Sequence, residues 1–128
     1  MTDSVARLYE AVLAARGSDP TKSRTARLFR AGRAKMAKKL AEEAVEVVID
    51  AMHGQPEAVV RESADLIYNL VVLWVHAGVH PEDVWEEMGR REAMFGIAEK
   101  VPKKALVQGL PRRSKVVALA TRQARKRR

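Results

Sequence analysis

Two pairs of acidic residues, each with a three-residue step, are the part of this sequence best suited to chemistry. Glu43 and Glu46 form the first pair, and Glu62 and Asp65 form the second. If both segments are helical, the step places the two members of each pair on one helix face. Two such faces in contact would gather four carboxylates in a small volume, which is costly unless a divalent cation binds there. The pattern therefore predicts a metal site on packed helices, and hence chemistry on phosphates.

The ligand types restrict which metal such a site would hold. Four carboxylates favour Mg²⁺, with Mn²⁺ as an alternative. The chain has no cysteine, which excludes disulfides and thiolate zinc sites. A di-iron bundle would require Glu-x-x-His motifs, and none of the three histidines stands three residues after these carboxylates. The competing interpretation is that each pair lies on a solvated helix face, but the second pair lies in a strongly apolar segment that should be buried.

Basic residues precede the first acidic pair. Residues 21–41 contain eight Lys and Arg side chains and no acidic one. Lys35, Lys38 and Lys39 stand one or two helical turns before Glu43, where they could neutralise a polyphosphate that the metal also binds. Solvated charges that pair with neighbouring helices are the alternative. There is no GxxxxGK[ST] loop, so a P-loop enzyme is excluded.

The elements that would position these residues are all helical. The apolar periodicity and the Gly and Pro turns predict helices over about 4–15, 34–52, 57–77 and 81–91, with a partly helical basic connector over 21–33. The third helix is apolar around nearly its whole circumference, apart from a polar stripe that includes Asn69 and His76. His76 is interpreted as a histidine held within the bundle. A helix this apolar needs more neighbours than one short chain supplies, so a homodimer is predicted.

Charge divides the chain into a body and a tail. The net charge is +8, yet no acidic residue follows Glu99, and the eleven Lys and Arg residues beyond it leave the preceding body mildly acidic. We interpret residues 1–100 as one domain and 101–128 as a basic tail that we expect to be partly disordered. Such a tail could contact nucleic acid non-specifically. The longest apolar run is too short for a membrane span and no signal peptide is recognised, so we expect a cytoplasmic protein.

The combined motifs resemble a known family. The segment SRTARLFRAGRAKMAKKLAEEAVEVVIDA, followed by ESADLIYNLVVLWVHAGV and PEDVWEEM, resembles phosphoribosyl-ATP pyrophosphohydrolases. More broadly it is similar to the MazG-like all-α nucleotide pyrophosphohydrolases, which are marked by EExxE and ExxD. These motifs stand here as Glu42-Glu43-x-x-Glu46 and Glu62-x-x-Asp65. The resemblance covers roughly residues 5–100.

The resemblance implies an α-helical homodimer whose bundle is completed by pairing. It implies that Glu43, Glu46, Glu62 and Asp65 hold Mg²⁺. Water would then cleave phosphoribosyl-ATP between its α and β phosphates, giving phosphoribosyl-AMP and pyrophosphate in the second step of histidine biosynthesis. Either Glu42 or Glu46 is the predicted general base. The predicted phosphate-binding residues are Arg24, Lys35, Lys38 and Lys39.

Three positions depart from the family pattern. The family usually has Tyr at Arg24, Gly at Ala41 and His at Asn69, which is predicted to line the site. These departures leave a second hypothesis of the same mechanistic class, an enzyme that removes free or damaged (d)NTPs. A third hypothesis, of another class, is a binding module that contacts nucleic acid through the basic tail.

Overall fold

The computed structural model describes residues 3–95, and within them every regular element is an α-helix. The five helices are α1 (Ser4–Ala15), α2 (Arg24–Ala31), α3 (Arg33–Met52), α4 (Pro56–Ala77) and α5 (Pro81–Phe95). This confirms the predicted all-α class, and the basic connector supplies the additional short helix. Helix α5 extends four residues beyond its predicted end. The segments 1–2 and 96–128 lie outside the description, and the predicted basic tail lies within the second of them.

Local signals in the sequence explain where the helices begin and end. The Asp3 and Ser23 side chains accept hydrogen bonds from backbone N–H groups in the first turns of α1 and α2. Gly32 separates α2 from α3 with a φ of +103°, and Gly78 ends α4 in the left-handed conformation with a φ of +77°. A side chain at either position would be strained, so glycine is required for these changes of direction.

The described residues fall into two units, residues 3–85 and residues 86–95. In the first unit, α3 and α4 share the most extensive contact, α1 packs on α4, and α2 packs on α3. The core side chains are Tyr9, Val12, Leu28, Met36, Val71, Val72 and Val75. In the second unit, the described part of α5 carries ion pairs from Arg90 and Arg91 to Glu87. Among residues 3–95, no helix is long and apolar enough to cross a membrane.

Candidate active site

A helical hairpin brings the two acidic pairs together. Helices α3 and α4 are joined by only three residues, so the chain reverses at Gly54 and the two helices pack along each other. Glu43 and Asp65 stand eleven residues before and after Gly54, and Glu46 and Glu62 stand eight residues before and after it. Because both helices rise equally per residue, each pair of partners reaches a similar level of the hairpin.

The carboxylates form two overlapping groups. Oxygen atoms of Glu43, Glu62 and Asp65 lie within 4.8 Å of one another, and so do oxygen atoms of Glu46, Asp50 and Glu62. Glu62 belongs to both groups and links the predicted ligands into one acidic cluster. Asp50 was not among the predicted ligands, although its spacing from Glu43 and Glu46 places it on the same side of α3. We call these five residues the carboxylate cluster.

The electrostatics of the cluster suit a cation. The pKa of Glu62 is raised above its usual value. The largest cause is a hydrogen bond with Glu43, which requires a proton on Glu62. Partial desolvation and the nearby negative charges of Glu43, Glu46 and Asp65 raise the pKa further. One carboxylate oxygen of Glu43, Oε1, is buried and has no hydrogen-bond partner among the described residues. A buried carboxylate oxygen without a donor is costly, and a bound cation would satisfy it. The cluster therefore fits a metal such as Mg²⁺, with its oxygen-only donors.

Asn69, Glu42 and His76, which the sequence also singled out, lie in different environments. Asn69 is buried, with 1% of its surface exposed, and its Nδ2 donates a 2.8 Å hydrogen bond to the backbone carbonyl of Asp65. Its Oδ1 is buried without a partner among the described residues. Glu42 is exposed and belongs to neither acidic group, whereas Glu46 belongs to one. His76 is exposed in the single chain, so it is not enclosed by the bundle as the sequence suggested.

A basic cleft adjoins the start of α3. It has a volume of about 690 Å³. Its lining contains no acidic side chain and five cationic ones, which are Arg24, Arg27, Arg30, Lys35 and Lys39. The uncharged lining residues are Pro20, Thr21, Leu28 and Ala31. Three of the four predicted phosphate-binding residues therefore share one cleft. The fourth, Lys38, is exposed and does not line it. Sequence reasoning missed Arg27 and Arg30, although the run of basic residues without an acid was a signal for both.

Arg24, which lines the cleft, contacts Tyr68 of α4. The Arg24 guanidinium carbon lies 4.5 Å from the centre of the Tyr68 ring, a cation–π contact. The Tyr68 hydroxyl is in turn 2.6 Å from the Thr25 hydroxyl, which fixes the ring. The arginine that stands in place of the family's usual tyrosine is thus held by an aromatic side chain of α4.

A helical hairpin that carries a carboxylate cluster able to hold a metal, beside a cationic cleft, is the arrangement expected of an all-α nucleotide pyrophosphohydrolase. A family model described as phosphoribosyl-ATP pyrophosphohydrolase matches residues 5–92. The chain belongs to this family.

Individual relatives agree with this assignment. The chain is 64% identical over 135 residues to phosphoribosyl-ATP pyrophosphatase 2 of Bradyrhizobium diazoefficiens, covering 99% of both proteins. It is 72% identical over 103 residues to phosphoribosyl-ATP pyrophosphatase 2 of Rhodopseudomonas palustris, covering 80% of this chain and 79% of the relative. It is also 53% identical over 102 residues to phosphoribosyl-ATP pyrophosphatase of Gluconobacter oxydans, covering 78% and 77%.

Proposed function

We propose that this enzyme hydrolyses phosphoribosyl-ATP to phosphoribosyl-AMP and pyrophosphate in a Mg²⁺-dependent reaction of histidine biosynthesis. One water molecule is consumed, and the phosphoanhydride bond between the α and β phosphates is broken. The observation that carries the proposal is the carboxylate cluster, in which acidic groups from α3 and α4 approach within 4.8 Å of one another. We expect the reaction to take place in the cytoplasm, since the substrate is built on ATP.

The carboxylate cluster would bind the metal, and the basic cleft would bind the phosphate chain. Glu43, Glu46, Glu62 and Asp65 would hold Mg²⁺, and Asp50 is close enough to contribute. When bound, Mg²⁺ supplies positive charge to the phosphate oxygens and increases the acidity of water. Lys35 and Lys39 on the same helix would neutralise the rest of the phosphate chain. Glu46, which is exposed and lies within the cluster, is better placed than Glu42 to accept a proton from water.

A second copy of the chain is part of this proposal. Helix α3 carries four exposed apolar side chains on one face, spaced three, four and seven residues apart. They are Val45 (56% exposed), Val48 (59%), Ile49 (47%) and Met52 (80%). Val60 and Ile67, which share a face of α4, are also exposed. We call these six residues the apolar face. Exposed apolar side chains on both helices of a hairpin are typical of a subunit interface, and pairing of two hairpins would give a four-helix bundle.

Pyrophosphate release from phosphoribosyl-ATP tests the proposed reaction. Wild-type enzyme with Mg²⁺ should release pyrophosphate, and Glu62→Gln should lose at least about 100-fold in activity, because even residues that only support metal ligands contribute 10- to 100-fold. Glu10→Gln is the matched control, since Glu10 is exposed on α1 and belongs to neither acidic group. Release from a dNTP panel but not from phosphoribosyl-ATP would overturn the proposal and favour the (d)NTP hypothesis.

A further inference from the structure

The basic cleft is larger and more cationic than a triphosphate chain requires. Its volume of about 690 Å³ falls in the size range of small-molecule binding sites. Lys35 and Lys39 already serve the phosphate chain in the proposed function. Arg27 and Arg30 therefore have no assigned role, although both line the same cleft.

Helix α3 carries residues of both the basic cleft and the carboxylate cluster. Lys39 precedes Glu43 by four residues and Lys35 precedes it by eight, so all three lie on neighbouring positions of one helix face. At 1.5 Å per residue, these lysines stand about 6 Å and 12 Å from Glu43 along the helix axis. Arg30 belongs to α2, on the part of the cleft that α3 does not supply. The cleft therefore has one wall on α3, within about one to two helical turns of Glu43 along the axis, and another on α2.

The substrate of the proposed function has a matching distribution of charge. Phosphoribosyl-ATP carries a triphosphate on one ribose and a monophosphate on a second ribose, which is attached to the opposite side of the adenine base. Resting on the proposed function, we propose that the basic cleft binds the phosphoribosyl end of the substrate and that Arg30 binds its terminal phosphate. This contact would distinguish phosphoribosyl-ATP from an ordinary nucleoside triphosphate.

Arg27 and Arg30 differ in what already occupies their guanidinium groups. Arg27 donates a 2.9 Å hydrogen bond to the Pro20 carbonyl, so it fixes the wall of the cleft that Pro20 and Thr21 form. The Asp19 carboxylate fixes that wall further by accepting hydrogen bonds from the Thr21 backbone N–H and hydroxyl group. Arg27 is therefore a positioning residue.

Arg30 remains available for a ligand. It is exposed, and within residues 3–95 its side chain takes part in no hydrogen bond or ion pair. Its guanidinium group can therefore make the two parallel hydrogen bonds that arginine forms with a phosphate. The alternative role of Arg30 is to complement the macrodipole in the last turn of α2. That role would affect helix stability and would not depend on which ligand is present.

The apolar part of the lining favours the phosphoribosyl end over the leaving pyrophosphate. Pro20, Leu28 and Ala31 give the cleft apolar surface between its cationic groups. A sugar and a base edge can cover such surface, whereas pyrophosphate has no apolar atoms to place against it. The two ligands can be separated experimentally, because phosphoribosyl-AMP retains the second phosphate and pyrophosphate does not.

Calorimetric binding of phosphoribosyl-AMP, AMP and pyrophosphate, each with Mg²⁺, tests the assignment. In Arg30→Gln we expect phosphoribosyl-AMP to bind about 10- to 100-fold more weakly, the usual effect of losing a charged hydrogen bond. Binding of AMP and pyrophosphate should stay within about twofold of wild type, because neither ligand has the phosphate that Arg30 is proposed to bind. Arg33→Gln is the matched control, because Arg33 is exposed, close in sequence and outside the cleft lining. Circular dichroism establishes that both variants fold.

Three outcomes would overturn the assignment. One is a loss of pyrophosphate affinity in Arg30→Gln with phosphoribosyl-AMP affinity unchanged, which would mean that the cleft binds the leaving pyrophosphate. Another is an equal loss for phosphoribosyl-AMP and AMP, and the last is equal affinity of the wild-type enzyme for these two ligands. Turnover is measured separately. A wild-type enzyme that prefers phosphoribosyl-AMP over AMP but does not hydrolyse phosphoribosyl-ATP would reject only the proposed function.

Discussion

Replacement of Glu62 by Gln should raise the thermal stability of the metal-free protein and remove about half or more of its stabilisation by Mg²⁺. Glu62 is the one carboxylate shared by both acidic groups, and its neighbours raise its pKa in the folded protein. Between the usual glutamate pKa of 4.5 and the raised value, the folded state holds more protons than the unfolded state. The stability of the metal-free wild type therefore falls as the pH rises through this window, and the full penalty is present above the raised pKa. Gln carries no charge, so the variant should lack this penalty.

In the presence of Mg²⁺ the same substitution should have the opposite effect and lower the stability of the folded protein. At a concentration 100 times its Kd, a ligand that binds only the folded state stabilises it by about 2.7 kcal/mol. For a domain of this size, that corresponds to an increase in Tm of about 10–20 °C. A 10- to 100-fold loss of metal affinity in the variant would reduce the stabilisation at the same Mg²⁺ concentration to about half or less.

Thermal melts followed by circular dichroism measure both effects. Wild type, Glu62→Gln and the control Glu10→Gln are compared at one protein concentration and neutral pH, first with a chelator and then with Mg²⁺. We expect the control to match wild type in both conditions. The reasoning would be refuted if Glu62→Gln melted below wild type without metal, or if it kept the full increase in Tm with Mg²⁺. Either result would mean that the cluster is a set of surface charges rather than a cation site.

Three further predictions concern the interface, the core and the described part of α5. Val48→Asp places a charge on the apolar face and should convert a dimer to a monomer in light scattering after size exclusion, whereas a wild-type protein that is already monomeric would contradict the proposed pairing. Met36→Ala removes a side chain that is 1% exposed and should lower the free energy of unfolding by about 2–5 kcal/mol in denaturant titrations; a loss below about 1 kcal/mol would mean that α3 packs loosely there. Hydrogen bonds from Arg90 and Arg91 lower the pKa of Glu87 to about 2, so their stabilisation is present above the usual pKa of 4.5 and is lost as the pH falls toward 2. Because these side chains are 32–45% exposed to solvent, Glu87→Gln should cost less than about 1 kcal/mol at pH 7. Its difference from wild type in helical signal should vanish near pH 2, and a difference that persists there would contradict the ion-pair origin.

Local patterns in the sequence were sufficient for the helices and for the acidic pairs. Helix α1 has the predicted bounds, and α3 and α4 each begin one residue earlier than predicted. Capping side chains, glycines at positive φ and apolar periodicity act over a few residues, so the sequence carries them directly. The approach of the two acidic pairs also follows from local information. Only three residues around Gly54 connect α3 and α4, and such a short turn favours packing of the two helices as a hairpin.

Which residues belong to the carboxylate cluster and which line the basic cleft depends on how the helices are rotated relative to one another. Asp50 joins the carboxylate cluster, whereas Lys38 lies outside the basic cleft that Lys35 and Lys39 line. A helical sequence states which residues share a face, but the packing of side chains between helices decides which of those faces meet.

The position of α2 was likewise a tertiary outcome. The turn at Gly32 and the contact of α2 with α3 place Arg30 in the same cleft as Lys35. The sequence by itself therefore determined the class of fold, the acidic motifs and the excess of basic residues before them. Only the tertiary structure decided which of those charges face a common volume, because that depends on contacts between residues far apart along the chain.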